Sequence, residues 1–162
     1  MKKSILASLV MMAAFGAAHA ETPKETIEKL DARLTTIGAA HQEAEEKIGD
    51  KTAPALIFGK RKINGNYDVV DDIKKATGAT ATIFSKAGDE FVRVSTNVLT
   101  PEGKRGVGTF LARGKAYDAV SKGEAFCGQV DVLGTAFDAC YHPIKADGKV
   151  IGVTYIGYKV AK

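Results

Sequence analysis

The chain has 162 residues, a formal net charge of +4, 45% hydrophobic residues, two cysteines and no tryptophan. That is enough apolar material for one domain with a real core, and too short a chain for two. The basic excess is scattered, with Lys60-Arg61-Lys62 the longest cationic run, which argues against a nucleic-acid surface. No stretch after residue 20 is apolar for long enough to cross a bilayer.

Residues 1–20 read as an export leader. Lys2 and Lys3 precede an apolar run from Ile5 to Ala18, and Ala18-His19-Ala20 has the small-x-small pattern of a signal peptidase site, so cleavage is expected after Ala20. A retained anchor needs about 20 apolar residues, more than this run supplies. Losing Lys2 and Lys3 lowers the net charge from +4 to +2. A soluble, exported domain in oxidising surroundings is the expectation, and there Cys127 and Cys140 are expected to be bonded rather than free.

Thr22-Pro23-Lys24-Glu25 carries a helix start: an N-cap threonine, proline at the first helical position and a glutamate that closes a capping box. The spacing predicts one long N-terminal helix within residues 21–50, ending at Gly49-Asp50. Ile27, Leu30, Leu34, Ile37, His41, Ala44 and Ile48 then form a heptad seam. Such a stripe packs on its own domain or zips against a second copy, and the first is favoured. Residues 51–162 complete the same single domain.

A short apolar run predicts a strand over 54–59, followed by a turn at Asn64-Gly65-Asn66. Asp68 to Thr77 has helical spacing and ends at Gly78, a glycine C-cap. Ala79–Ser85 and Glu90–Val98 are predicted strands joined by Lys86-Ala87-Gly88-Asp89. Pairing Phe84 with Phe91 places Thr82 opposite Arg93 and Thr80 opposite Ser95. Strict alternation then collects Thr80, Thr82, Phe84, Phe91, Arg93, Ser95 and Asn97 on one face, unless a bulge intervenes. That face is either a solvated sheet surface or the floor of a small-ligand pocket, in which a few polar groups converge among aromatics.

Gly106-Val107-Gly108 lacks the third glycine and the lysine of the nucleotide-binding motifs. Lys115–Lys122, closed by Gly123, predicts a short helix that covers the sheet. In the next hairpin Leu133-Gly134 forms the tip, or Val132–Thr135 a four-residue loop with the same pairing, since Leu133 is a poor residue for positive φ. Either way Cys127 faces Cys140 at a non-hydrogen-bonded position, which suits a cross-strand disulfide; two buried thiols are the alternative. Phe126, Val130, Val132, Phe137 and Tyr141 fall on the opposite face. Ala146-Asp147-Gly148-Lys149 predicts a type I′ turn joining Cys140–Lys145 to Val150–Tyr158. The fold class is α+β with an antiparallel sheet.

These residues carry a resemblance. Asn64-Gly65-Asn66, Val70-Asp71, Thr77-Gly78, Thr82-Ile83-Phe84, Val92 to Asn97, Val107-Gly108-Thr109, Leu133-Gly134, Tyr141 to Ile144 and Asp147 to Gly152 resemble the Cache sensor domains. The class is the Cache type 3/type 2 fusion, related to single-Cache type 2, and the likeness covers about residues 50–158. The resemblance implies a PAS-like antiparallel sheet with a long N-terminal helix, placement outside the cytoplasmic membrane, and binding of small metabolites, often carboxylates or amino acids. It also implies kinship with the sensing parts of chemoreceptors and sensor kinases.

The reading that results is a periplasmic or secreted protein that binds a small organic anion. Arg93 is the expected carboxylate partner, Ser95, Thr82 and Asn97 orient the ligand, and Phe84, Tyr117 and Tyr141 exclude water. The alternative is an interaction module that docks on a membrane receptor or kinase, or homodimerises through its N-terminal helix. An enzyme is not supported: after the leader only His41 and His142 are available, with no nucleophile, base and orienting acid in register. No cofactor is expected. Cys127, Cys140 and His142 do not make a metal or haem motif.

Overall fold

The computed structural model describes residues 19–161, and the expected leader lies outside them up to residue 18. Helix α1 spans Pro23–Ile37 and opens with the capping box, in which Glu25 N donates to Thr22 Oγ1 at 3.3 Å and Thr22 N to Glu25 Oε2 at 2.8 Å. It stops well short of residue 50. Gly38 turns the chain against Gly59, where a Cβ would lie 2.4 Å from the Gly59 Cα, and residues Ala40–Ile48 then form strand β1. β1 pairs antiparallel with β2, Lys51–Phe58, and β2 with the short β3, Arg61–Lys62.

The heptad seam is therefore only half a seam. Ile27, Leu30 and Leu34 are buried on the domain's own sheet, whereas His41 and Ala44 lie exposed on β1. A helix continued to Ile48 would have left the apolar strand Ala55–Phe58 with one edge unpaired. The segment from 40 to 48 resolves that conflict as a strand, at the expense of the helical period.

Helix α2, Asp68–Thr77, ends at Gly78 in the left-handed conformation. Strands β4 (Thr80–Ala87), β5 (Glu90–Thr96), β6 (Phe126–Val132), β7 (Thr135–Ala146) and β8 (Lys149–Lys159) form a sheet in the order β5-β4-β8-β7-β6, with every pair antiparallel. Helix α3, Lys115–Ser121, follows the long connection 97–114. One face of the sheet packs on α1, α2 and β2, with Leu56, Val70, Ala81, Ile83, Cys140 and Ile156 in its core. The other carries Phe84, Phe91, Phe137, Tyr141, Val153 and Tyr155 under α3 and the 97–114 connection.

Both later hairpins have the expected turns. Leu133 adopts φ 51° and Gly134 φ 85°, which closes a two-residue loop between Val132 and Thr135; Asp147 and Gly148 adopt φ 50° and 76°. Cys127 pairs with Cys140 and the two form a disulfide. Helix α1 is tied to the sheet by polar contacts as well. Asp31 receives Thr154 Oγ1 at 2.7 Å and lies 2.6 Å from His142 Nδ1, and Thr26 Oγ1 meets the Tyr158 hydroxyl at 2.8 Å.

Among the described residues no helix is long and apolar enough to cross a membrane. Truncating Leu30→Ala, fully buried between α1 and the sheet, is expected to lower unfolding free energy by about 3 kcal/mol in urea titration. Alkylation of the unfolded, unreduced protein is expected to add no label, and two labels after reduction, by intact mass.

Candidate functional site

Arg93 is the centre of the loop-side face. It sits on β5, 4% exposed, with its guanidinium carbon 4.9 Å from the centroid of Phe84 on β4. Its Nη1 donates to Thr109 Oγ1 at 2.9 Å and to the Phe110 carbonyl at 3.0 Å. Its Nε is buried and, among the described residues, has no partner. Among the described residues no carboxylate lies within ion-pair reach, so burial pushes the guanidinium down from its ordinary value, opposed by the Tyr141 and Tyr155 phenols.

Those phenols wall the same space. Tyr141 on β7 and Tyr155 on β8 face each other across the strand pair with ring centroids 5.0 Å apart. Burial pushes Tyr141 up to about 12, and Tyr155 rises too, although Arg93 pulls both the other way and Thr80 Oγ1 bonds the Tyr155 hydroxyl at 3.2 Å. Both stay neutral at physiological pH. Beyond them a cavity of about 220 Å³ is lined by Tyr141, Leu111, Ala116, Phe126 and Val130, with Arg113, Gln129 and Asp131 among its polar groups.

Of the seven residues read from sequence, Phe84, Arg93 and Tyr141 lie on one face of the sheet. Thr82 shares their face, but its hydroxyl is committed to Thr96 Oγ1 at 2.6 Å in the core. Ser95 and Asn97 are turned away: Ser95 Oγ donates to Asn66 O at 2.6 Å, while Asn97 bonds Ala81 N and the Val70 carbonyl of α2. The cause is a β-bulge. The hairpin pairs Lys86 with Phe91 and Phe84 with Arg93, two residues off the expected register of Phe84 with Phe91, and then Ile83 with Ser95, leaving Val94 as the extra residue, so everything after it changes face. Tyr117 lies edge-on to Phe91 at 5.7 Å and donates to Asp89 O, which makes it a wall for Phe91 rather than for Arg93.

Sequence reasoning missed Thr109, Phe110 and Tyr155. Val107-Gly108-Thr109 was visible as a motif but carried no contact. Tyr155 was hidden by a second bulge at Ile151: counted outward from the turn, Thr154 falls opposite Tyr141, whereas the strands pair Tyr141 with Tyr155. Cys127 and Cys140 are bonded to each other and His142 meets Asp31.

An antiparallel sheet with α1, α2 and β2 on one face and α3 with the 97–114 connection on the other is an α+β fold of the PAS-like kind. The chain belongs to the Cache 3/Cache 2 fusion domain family, whose model matches residues 8–162. Cache domains are generally extracytoplasmic and sense small molecules. Over 59 residues the chain is also 41% identical to the kinesin-like protein KIF22 of Danio rerio, a match that covers 36% of this chain and 8% of that protein.

The raised phenol sets a pH dependence. Because Tyr141 titrates near 12 in the fold against an ordinary 10, its contribution to stability is complete below pH 10 and lost as pH rises from 10 to 12. Urea titrations across that window are expected to show falling stability, with a shallower slope in Tyr141→Phe.

Proposed function

We propose that this protein is an exported binding domain that captures a small organic anion against Arg93. The observation that carries the reading is the buried guanidinium, which among the described residues has an unpartnered Nε and no counter-charge. A carboxylate arriving there receives a desolvated, charge-assisted hydrogen bond in a site where water does not compete, a contact of about 1.5 to 3 kcal/mol. Phe84, Tyr141 and Tyr155 shield it. The leader-like residues 1–20 support export.

Arg93 is the one charged side chain among the buried polar groups of the described residues. A second charge on the ligand would have no buried partner, which favours a monocarboxylate over a dicarboxylate or an amino acid. The docking alternative through the N-terminal helix has less to stand on, because Ile27, Leu30 and Leu34 already face the domain's own core.

The test is thermal unfolding of wild type and Arg93→Met with a panel of carboxylates and amino acids. Methionine keeps the packing over Phe84 and removes the unpaired charge, so the variant is expected to be more stable than wild type without ligand, by about 2 kcal/mol. A monocarboxylate at about 100 times its Kd is expected to stabilise wild type by about 2.7 kcal/mol and to leave Arg93→Met unmoved. Equal shifts in both would remove Arg93 from the site.

A further inference from the structure

The connection after β5 grips Arg93 twice. Residues 108–111 run antiparallel along the outer edge of β5: Arg93 N donates to Thr109 O, Gly108 N to Arg93 O and Leu111 N to Phe91 O, each at 2.9 Å. The same segment takes the side chain, through Thr109 Oγ1 and the Phe110 carbonyl. Thr109 Oγ1 donates its own proton to Gly106 O at 2.6 Å, so its lone pairs remain free to accept from Nη1.

The segment is itself held from three sides. Arg105 forks onto Asp71 of α2, Nη1 to Oδ1 at 2.7 Å and Nη2 to Oδ2 at 2.8 Å, donates to Thr96 O at 2.9 Å, and lies 4.4 Å over the Tyr67 ring. Gly108, at φ +82°, approaches the β1–β2 turn so closely that a Cβ would stand 2.6 Å from Ile48 O. Gly106 abuts Leu133 of the β6–β7 turn, whose Cδ1 would be 2.7 Å from a Cβ there.

We propose that residues 105–110 form a strap that sets the Arg93 guanidinium, with Thr109 as its positioning residue and the Arg105–Asp71 ion pair as its anchor on α2. This rests on Arg93 being the anion-binding residue. With Nη1 bound to the strap, the guanidinium cannot swing freely, and among the described residues its buried Nε is left without a partner. A bidentate ion pair suits the anchor, because it fixes orientation as well as distance.

The experiment follows the Arg93 Nε–Hε resonance of the full exported chain by proton–nitrogen NMR, assigned with Arg93→Met, first without ligand and then with propionate. Thr109→Val keeps the side-chain shape and removes the acceptor. It is expected to raise Hε exchange with water by about tenfold, as the loss of one charge-assisted bond predicts, while Thr109→Ser retains the wild-type rate. Asp71→Asn is expected to move in the direction of Thr109→Val. Wild-type exchange in Thr109→Val overturns the strap even if propionate binds, and wild-type exchange in Asp71→Asn overturns the anchor. The expected exchange pattern with an Arg93 resonance that propionate leaves unmoved supports the strap and instead sinks the anion site.

Discussion

Folding around Arg93 means taking a cation out of water without giving it a carboxylate, and the loop-side half of the domain is arranged to tolerate that. Desolvating an ammonium- or guanidinium-sized ion costs several kcal/mol even after relaxation. The Phe84 face, the Thr109 hydroxyl and the Phe110 carbonyl offset part of this through quadrupole and dipole attraction. None of them neutralises the charge. Tyr141 and Tyr155, the nearest groups that could become anions, are held protonated by the same burial. Among the described residues the Arg93 guanidinium therefore keeps its positive charge without a carboxylate beside it, and that is the feature the proposed anion would use.

The sheet divides its two faces by task, and the division runs through consecutive residues. On β7, Cys140 and His142 point to the α1 side while Tyr141 points to Arg93; on β8, Thr154 meets Asp31 of α1 while Tyr155 stands beside Tyr141. The N-terminal helix is thus bonded to residues adjacent in sequence to the site's aromatic walls.

Much of this was legible in the residues. The turns at Leu133-Gly134 and Asp147-Gly148, the caps at Thr22 and Gly78 and the pairing of Cys127 with Cys140 are local chemistry, and local chemistry reads well from a chain. What failed were the places where long-range pairing overrides a local period. Residues 40–48 have helical spacing, yet β2 needs a partner and they supply it. At Val94 and Ile151 a single unpaired residue shifts every side chain beyond it, so Ser95 and Asn97 left the predicted site and Tyr155 entered it. Neither bulge has a residue signature. Alternation located Arg93, Phe84 and Tyr141 because all three lie on the turn side of the bulge in their hairpin, or on strands that have none before them.

The sensitivity to register explains where the disulfide sits. β6 is an edge strand, held by backbone bonds on one side only, and a slip of one residue against β7 would exchange the faces of Phe126 and Val130 and take the cavity wall apart. The hairpin tip alone is a weak guard, since Leu133 adopts a left-handed conformation that its branched side chain disfavours. That strain is accepted because Leu133 packs on Gly106, beneath the connection that holds Arg93. The Cys127–Cys140 bond lies at the far end of the same strand pair and points to the opposite face. It removes the slipped registers without placing a sulfur near the site. The turn and the bond thus act from the two ends of one hairpin: Leu133 supports the connection over Arg93, and the bond keeps Phe126, Val130 and Tyr141 on the face where that connection closes.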